Sequence, residues 1–466
     1  MRKIRRKKLN IYRIIFKILV FVNFIGNYQV IIGNSHMGDT RMGDSQKSLN
    51  APETWLTVFF HGVISIAPVL SFETMGQIRN NKIENTVYEA YVNNARRNNF
   101  FNKNQIKQAL GLRKIDRTRR DTNDACSVIA NVMDLQYSWS TAPTKNHYYT
   151  FGWSGLMTSD KRYQSAKKFY NAFSSEIKKF HDKGIYPKTR LIGFSHGGNV
   201  CLNIANVLKK EKLTKPFDVD ELILLGMPVM DKTNFLVNNP LFKKTYHFYS
   251  SSDRVQFLDF SQPGKLFSRK KFRANKKQAL TNNLLQVRVE MLRNINLKSG
   301  WGLYKELSNK NNTKSKMSRH SSRIRKSSPG HCEWWFLSYT SKHYRDNFAL
   351  APLPFVAFIP TIISQMHNTE HTPNKTKIFG NQLTLRIRPF ECSMAIKTRY
   401  SKKMAQFLSK EKFDLIKKTV DQYPFEKTKI KMCEEQINKE ITKAKTRVAN
   451  YFKKHPKDNR KHRKTS

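Results

Sequence analysis

A serine framed by glycines is the first place in this sequence where chemistry can be expected. Gly193, Ser195 and Gly197 form a G-x-S-x-G pattern directly after an apolar run at residues 190–192. So tight a turn between a strand and a helix needs small residues two positions either side of the serine. The hydroxyl then lies above a helix N-terminus, whose unpaired N–H groups stabilise developing negative charge. The pattern predicts a nucleophile for acyl transfer; the alternative is a glycine-rich turn with an incidental serine.

A histidine–glycine pair after an earlier apolar run is a candidate oxyanion hole. Residues 55–60 (WLTVFF) are typical of a buried strand, and His61 and Gly62 follow them. An acyl-transfer serine needs backbone N–H donors aimed at the carbonyl oxygen, and such a loop supplies one of them. The predicted donors are the N–H of Val63 (or of Gly62) and the N–H of His196. His61 itself is predicted to be structural and to fix the loop.

The serine also needs a base and an acid that orients it, and Asp253 is the first candidate for the acid. It follows a predicted strand at residues 245–249, and Asp259 is the fallback. The chain order expected for this type of site is serine, carboxylate, histidine. A turn-forming or helix-capping aspartate is the structural alternative.

The candidate base is His331, which follows a glycine and precedes an aromatic-rich segment, CEWW. A histidine in that position suits a loop that reaches over the serine. His320 lies in a basic, serine-rich stretch and is a poorer place for a fixed base. His343, His367 and His371 come later in the chain and lack a comparable setting.

Strands that alternate with helices are expected to hold these residues in place. The alternation predicts the α/β class, with a mostly parallel sheet, helices on both faces and the chemistry at the carboxyl ends of the strands. Predicted strands lie at residues 55–60, 148–151, 190–192, 221–225, 245–249, 285–289 and 383–387, and predicted helices at residues 160–182 and 199–210.

Composition narrows the class of protein further. The chain of 466 residues is 39% hydrophobic, which is enough for a packed core and excludes a wholly disordered chain. Near the N-terminus a single segment approaches membrane-spanning length, which excludes a polytopic membrane protein. Five cysteines are too few and too scattered for a disulfide scaffold or a zinc module. We predict neither a metal nor an organic cofactor.

Charge and apolar runs divide the chain. Residues 1–33 combine a basic start with an apolar stretch and predict a signal or membrane anchor, hence export or membrane attachment. We expect a linker at 34–50, a catalytic domain at 51–400 that includes a basic and flexible insertion at 264–330, and a basic helical extension at 401–466.

The net charge of +51 concentrates in these peripheral segments. We do not expect sequence-specific nucleic-acid binding, because no RNA-binding aromatic motif, helix-turn-helix or zinc finger accompanies the charge. Non-specific contact with an anionic membrane or another acidic surface is favoured. The alternative is a biased composition whose excess charge lies on solvated surface.

Taken together, the sequence resembles the α/β-hydrolase superfamily, and within it the lipase and esterase branch. The matching pieces are TVFFHGV, YYTFGWSG, LIGFSHGGN, LILLGMPV, YSSSDRV and PGHCEWW, with long unmatched stretches between them. The resemblance implies that Ser195 is the nucleophile, Asp253 the acid and His331 the base, with oxyanion donors from His196 and Val63. The segment between residues 62 and 146 is longer than a simple link and could hold a lid.

The leading prediction is therefore a serine hydrolase that cleaves a carboxylic ester of a lipid-like substrate through an acyl-enzyme. An amidase, thioesterase or peptidase would use the same residues. A different class is a catalytically inactive hydrolase scaffold that binds an anionic partner. A structural envelope protein is a third, and it depends on the N-terminal segment alone.

Overall fold

A ten-stranded, mostly parallel sheet organises the chain. The computed structural model describes residues 52–64, 72–98, 105–117, 125–140, 144–251, 253, 255–257, 268–295, 323–327, 329–335, 353–370, 382–388, 393–397, 408–421 and 430–456.

The strands follow the order β10-β9-β7-β6-β5-β4-β1-β3-β2, and β8 pairs with β7 off this path. Strands β3, β1, β4, β5, β6, β7 and β9 run parallel to one another, while β2, β8 and β10 pair antiparallel with their neighbours. They are β1 (Glu53–Phe60), β2 (Gly111–Lys114), β3 (Thr144–Gly152), β4 (Lys188–Phe194), β5 (Glu221–Leu225), β6 (Thr245–Tyr249), β7 (Leu284–Ile295), β8 (Arg323–Ser327), β9 (Gln382–Arg388) and β10 (Ser393–Lys397).

Eight α-helices accompany the sheet in the part of the chain that the structure describes. They are α1 (Phe72–Arg79), α2 (Val87–Arg97), α3 (Ala125–Tyr137), α4 (Ser159–His181), α5 (His196–Lys210), α6 (Ile359–Glu370), α7 (Lys410–Asp421) and α8 (Ile430–Lys454).

The central strands are apolar on both faces, and each face packs into a separate core. In β1, Leu56, Val58 and Phe60 pack with residues of α4 and α5, whereas Phe59 packs with residues of α3 and α6. Because side chains alternate along a strand, two helical layers are needed to cover such a run. The arrangement is that of an α/β protein, as the sequence predicts.

Predicted and observed elements agree closely in the centre of the sheet. Each of the seven predicted strands lies within an observed strand, and the two predicted helices coincide with α4 and with most of α5. The stretch 264–330, predicted to be an insertion, contributes β7 and β8 to the sheet. Residues 1–33 and the linker at 34–50 lie outside the described residues. No helix in the described part of the chain is long and apolar enough to cross a membrane.

Candidate active site

Ser195 lies in the turn between β4 and α5 with a strained backbone. Its φ of 51° and ψ of −130° belong to a region that residues with side chains rarely adopt. A Cβ atom at Gly193 would lie 2.6 Å from the Cα of Gly198, and one at Gly197 would lie 2.4 Å from the carbonyl oxygen of His61. The two glycines of the motif are therefore required by the close approach of backbone to backbone, as the sequence pattern predicts.

His331 connects Ser195 to Asp253. Its Nε2 lies 2.9 Å from the Oγ of Ser195, and its Nδ1 lies 2.9 Å from the Oδ2 of Asp253. An ionised carboxylate can only accept, so Nδ1 carries the proton and donates a hydrogen bond to Asp253. Nε2 is then the acceptor for the Ser195 hydroxyl. The three residues predicted from the sequence therefore lie in contact, although they come from three separate loops.

Asp253 is fully buried and is held by donors on both of its oxygens. The indole Nε1–H of Trp334 donates to Oδ2 over 3.0 Å, and the backbone N–H of Gln256 donates to Oδ1 over 3.3 Å. Its own N–H donates to the Oγ of Ser250 over 3.2 Å. Hydrogen bonds of this kind offset the cost of burying a carboxylate and fix the plane in which it meets His331.

Gly226 follows the last residue of β5, and its lack of a side chain leaves room for the carboxylate of Asp253. It has a φ of +56°, and a Cβ there would lie 2.8 Å from the Nε1 of Trp334 and 2.9 Å from the Oδ2 of Asp253. Both the left-handed backbone and the close contacts exclude a side chain at this position. The conformation of one strand end therefore sets the room in which the acid and its indole donor meet.

The predicted oxyanion loop approaches the serine closely. A Cβ at Gly62 would lie 3.0 Å from the Cβ of Ser195 and 3.0 Å from the ring of Phe194, so a side chain here would be tightly packed and glycine eases the close approach of the loop. Val63, the next residue, is half-buried and packs against the core that contains residues of α4 and α5, and against a further apolar cluster that contains residues of α1 and α2. His196 is the first residue of α5, and its N–H lies at that helix N-terminus.

His61 is buried and its ring is fixed at both nitrogens. An arginine can only donate, so the 2.9 Å contact from the Nη1 of Arg96 makes the Nε2 of His61 an acceptor. Nε2 also accepts the backbone N–H of Trp153 over 3.3 Å, and Nδ1–H donates to the carbonyl of Gly62 over 2.6 Å. Burial, with Arg96 and Lys107 nearby, holds the pKa of His61 well below its usual range. A neutral His61 therefore fixes the loop, as predicted.

His196 is held by a second arginine in the same way. Arg162, on α4, is 1% exposed, and its Nη1 donates to the Nδ1 of His196 over 3.1 Å. The same Nη1 donates to the carbonyl oxygen of Met157 over 2.7 Å. Each of the two candidate oxyanion segments is thus joined to a buried arginine through a histidine ring.

Aromatic side chains and a second carboxylate surround His331. Phe194 has its ring centroid 4.8 Å from that of His331 and stacks on Trp335 at 5.3 Å. Glu333 is 8% exposed and accepts the backbone N–H of Gly330. Burial raises the pKa of Glu333 to about 7. Glu333, Arg162 and Arg96 were not predicted from the sequence.

The structure does not describe the remaining candidates from the sequence. Asp259, His320, His343 and His371 lie outside the described residues, and so does the side chain of His367, on α6. Among the residues described, no cluster of three or more histidine, cysteine or acidic side chains has the arrangement of a metal site.

We compared the chain with models of protein families, with curated proteins and with solved structures. No family model, curated protein or solved structure matches it.

Proposed function

We propose that this protein is a serine hydrolase of the α/β-hydrolase fold, in its lipase and esterase branch, that cleaves carboxylic esters. The observation that carries the proposal is the pair of 2.9 Å contacts that join Ser195, His331 and Asp253. The strained turn at Ser195 and the close approach of Gly62 support it, because both are what an acyl-transfer site requires.

In the proposed reaction, the Oγ of Ser195 attacks the ester carbonyl carbon while the Nε2 of His331 takes up the hydroxyl proton. Asp253 stabilises the imidazolium that forms. Collapse of the tetrahedral intermediate breaks the bond to the alcohol oxygen, which receives the proton from His331. Water, deprotonated by His331, then attacks the acyl-enzyme. The bond between the acyl carbon and the Oγ of Ser195 breaks, Oγ takes the proton back from His331, and the carboxylic acid is released.

The oxyanion of the tetrahedral intermediate would be bound by the N–H of His196 and by that of Val63 or Gly62. Preorganised donors of this kind contribute about 3–4 kcal/mol each to catalysis. The buried guanidinium of Arg162 adds positive charge next to His196, the residue that would supply one of these donors. The α5 N-terminus contributes in the same direction, since its dipole favours negative charge.

The test is hydrolysis of p-nitrophenyl esters of increasing acyl chain length, with a fluorophosphonate probe to identify the reactive serine. We expect labelling at Ser195 and a chain-length optimum that distinguishes an esterase from a lipase. Amide and thioester analogues in the same series distinguish an esterase from an amidase or a thioesterase, which would use the same residues. Absence of labelling in folded protein would contradict the proposal.

A lipid-like substrate at an anionic membrane surface fits the charge of α8. Lys439, Lys443, Arg447 and Lys454 recur at intervals of four or seven residues on one exposed side of that helix. A lysine or arginine near an anionic surface contributes about 1 kcal/mol to binding. We expect co-sedimentation with vesicles that contain anionic phospholipid, weakened by salt; equal binding to neutral vesicles would contradict this.

Replacing Arg162 with methionine is expected to lower kcat on the order of 10- to 100-fold, with little change in KM. The reason is that His196 would lose its donor, and the adjacent oxyanion N–H would lose its fixed position; outright loss of an oxyanion donor costs more. Arg162→Lys can still donate to His196 and should recover part of the rate.

The matched control is Arg113→Met, which removes the same charge from an exposed position on β2. Steady-state kinetics and thermal unfolding should be measured on all three variants. A purely structural role would lower the melting temperature and leave kcat unchanged in the folded fraction, and this result would contradict the positioning role of Arg162.

A further inference from the structure

Ser250 is a buried serine whose hydroxyl joins two segments of the candidate site. It is the first residue after β6, and none of it is exposed. Its Oγ accepts the backbone N–H of Asp253 over 3.2 Å and donates to the carbonyl oxygen of Pro329. A hydroxyl has one proton to donate, and here that proton goes to the segment that carries His331. The acid and base segments, which are 79 residues apart at these positions, are therefore joined through one side chain.

The bond to Asp253 alone would be an ordinary turn. A serine Oγ often accepts a backbone N–H a few residues along the chain and so closes a turn, without any partner in another segment. The donation to Pro329 goes beyond this, because it fixes the distance between two backbones that are remote in sequence. Without the hydroxyl, a buried N–H and a carbonyl would both lose their partner, which is costly.

The segment that accepts this bond is short and is closed by a bond of its own. Pro329 is buried and lies two residues before His331. Between them, the N–H of Gly330 donates to the carboxylate of Glu333, which is 8% exposed. A 3₁₀ turn at Cys332–Trp334 follows. A displacement at Pro329 is therefore passed on to His331, since little free backbone lies between them to absorb it.

The acid segment has a second support that does not depend on this hydroxyl. The Nζ of Lys270 donates to the carbonyl oxygens of Ser250 and Ser251 over 2.8 Å and 2.7 Å. Both bonds are made to the backbone. A Ser250→Ala protein would therefore keep its turn attached to Lys270 while it loses the link to Pro329. The effect of the link can thus be measured in a segment that is still held in place.

We infer that Ser250 is a positioning residue, which holds the segments of Asp253 and His331 at the separation that their contact requires. The inference rests on the proposed hydrolase function, in which the 2.9 Å contact between the Nδ1 of His331 and the Oδ2 of Asp253 orients the base. Loss of the hydroxyl lets the two segments move apart. His331 then spends less time in the orientation in which its Nε2 accepts the hydroxyl proton of Ser195.

Kinetics with p-nitrophenyl butyrate tests this role in the reaction. Ser250→Ala should lower kcat about 10- to 100-fold, because a small displacement of a catalytic group has an effect of this size. KM should change little, since Ser250 acts on the base and not on the substrate. Ser250→Thr keeps a hydroxyl and should recover part of the rate.

The matched control is Ser127→Ala. Ser127 is also buried, and its hydroxyl donates to the backbone carbonyl of Asp116 over 3.2 Å, outside the site. It should keep the wild-type kcat, even if its melting temperature falls as far as that of Ser250→Ala. A folded Ser250→Ala protein with the wild-type kcat, whatever its melting temperature, would overturn the positioning role.

Proton NMR of the full chain tests the same link without any reaction. The Nδ1–H of His331 gives a low-field signal while it is bonded to Asp253, and the signal is assigned by its absence from His331→Gln. It should broaden or disappear in Ser250→Ala, through faster exchange with water, and persist in Ser127→Ala. An unchanged signal in Ser250→Ala would overturn the inference. Loss of the signal in Ser250→Ala, when the wild type hydrolyses no ester, would support the link and reject the hydrolase.

Discussion

Protein in which Ser195 is replaced by alanine is expected to hydrolyse p-nitrophenyl butyrate 10⁴ to 10⁶ times more slowly than the wild type, an order-of-magnitude range. In the proposed mechanism the replacement removes the attacking oxygen, and the Nε2 of His331 loses the hydroxyl that lies 2.9 Å away. The residual rate would come from the oxyanion donors and from binding alone. Initial rates at several substrate concentrations give kcat, and mass spectrometry gives the acyl-enzyme.

Ser175→Ala is the matched control, since Ser175 lies on the exposed side of α4. It should retain the wild-type rate. Circular dichroism of both variants checks that the fold survives the change. If the Ser195→Ala protein is folded and retains more than about a tenth of the wild-type activity, Ser195 is not the nucleophile.

Asp253→Asn is expected to lower kcat by about 10⁴-fold with the fold retained. Three N–H donors converge on the carboxylate, from His331 and Trp334 at Oδ2 and from Gln256 at Oδ1. An asparagine must turn its NH₂ towards at least one of them. If the NH₂ faces His331, Nδ1 becomes the acceptor and Nε2 carries the proton, so the ring cannot accept the hydroxyl proton of Ser195.

The control for this prediction is Asp182→Asn, which makes the same change in an exposed ion pair with Lys178. It should leave kcat unchanged. The prediction is checked by measuring kcat for p-nitrophenyl butyrate with the two variants and the wild type. A loss of less than tenfold in Asp253→Asn would show that the base is oriented by another group.

The central strands and the three contacting side chains were predictable from the sequence because each depends on local chemistry. Ser195 has its glycines, His61 and Gly62 follow a run of β-forming residues, and Asp253 follows the end of β6. Parallel strands bring their carboxyl ends to a single edge, so local signals at those ends combine into one site. Order along the chain then separates His331 from the other histidines.

Arg162 and Arg96, which are hydrogen-bonded to the histidines of the candidate oxyanion segments, were not predicted, although the sequence holds a signal for them. On α4 the buried positions include Arg162, Ala166, Phe169 and Phe173, so the arginine lies on the apolar stripe of that helix. Arg96 likewise falls among the buried residues of α2. Charged residues are normally assigned to solvent, and a periodic pattern does not show what would pair with them inside.

The edge strands were missed for a different reason. β2 (GLRK) is short and polar, and β8 (RIRKS) lies in the basic stretch that resembles an insertion. Strands at sheet margins are kept short and charged, which protects them from pairing with other chains and removes the apolar pattern that identifies a strand. Their antiparallel pairing with β3 and β7 depends on tertiary structure rather than on their own composition.

Ser195, Asp253 and His331 lie far apart along the chain, and this distance affects the order in which their contacts form during synthesis. The contact between His331 and Asp253 spans 78 residues, and that between His331 and Ser195 spans 136. Long-range pairings of this kind form slowly, because the loops between them must close first. During synthesis the turn at Ser195 can form well before its base leaves the ribosome. A nascent chain that ends before residue 330 would therefore lack this base, however well its turn is formed.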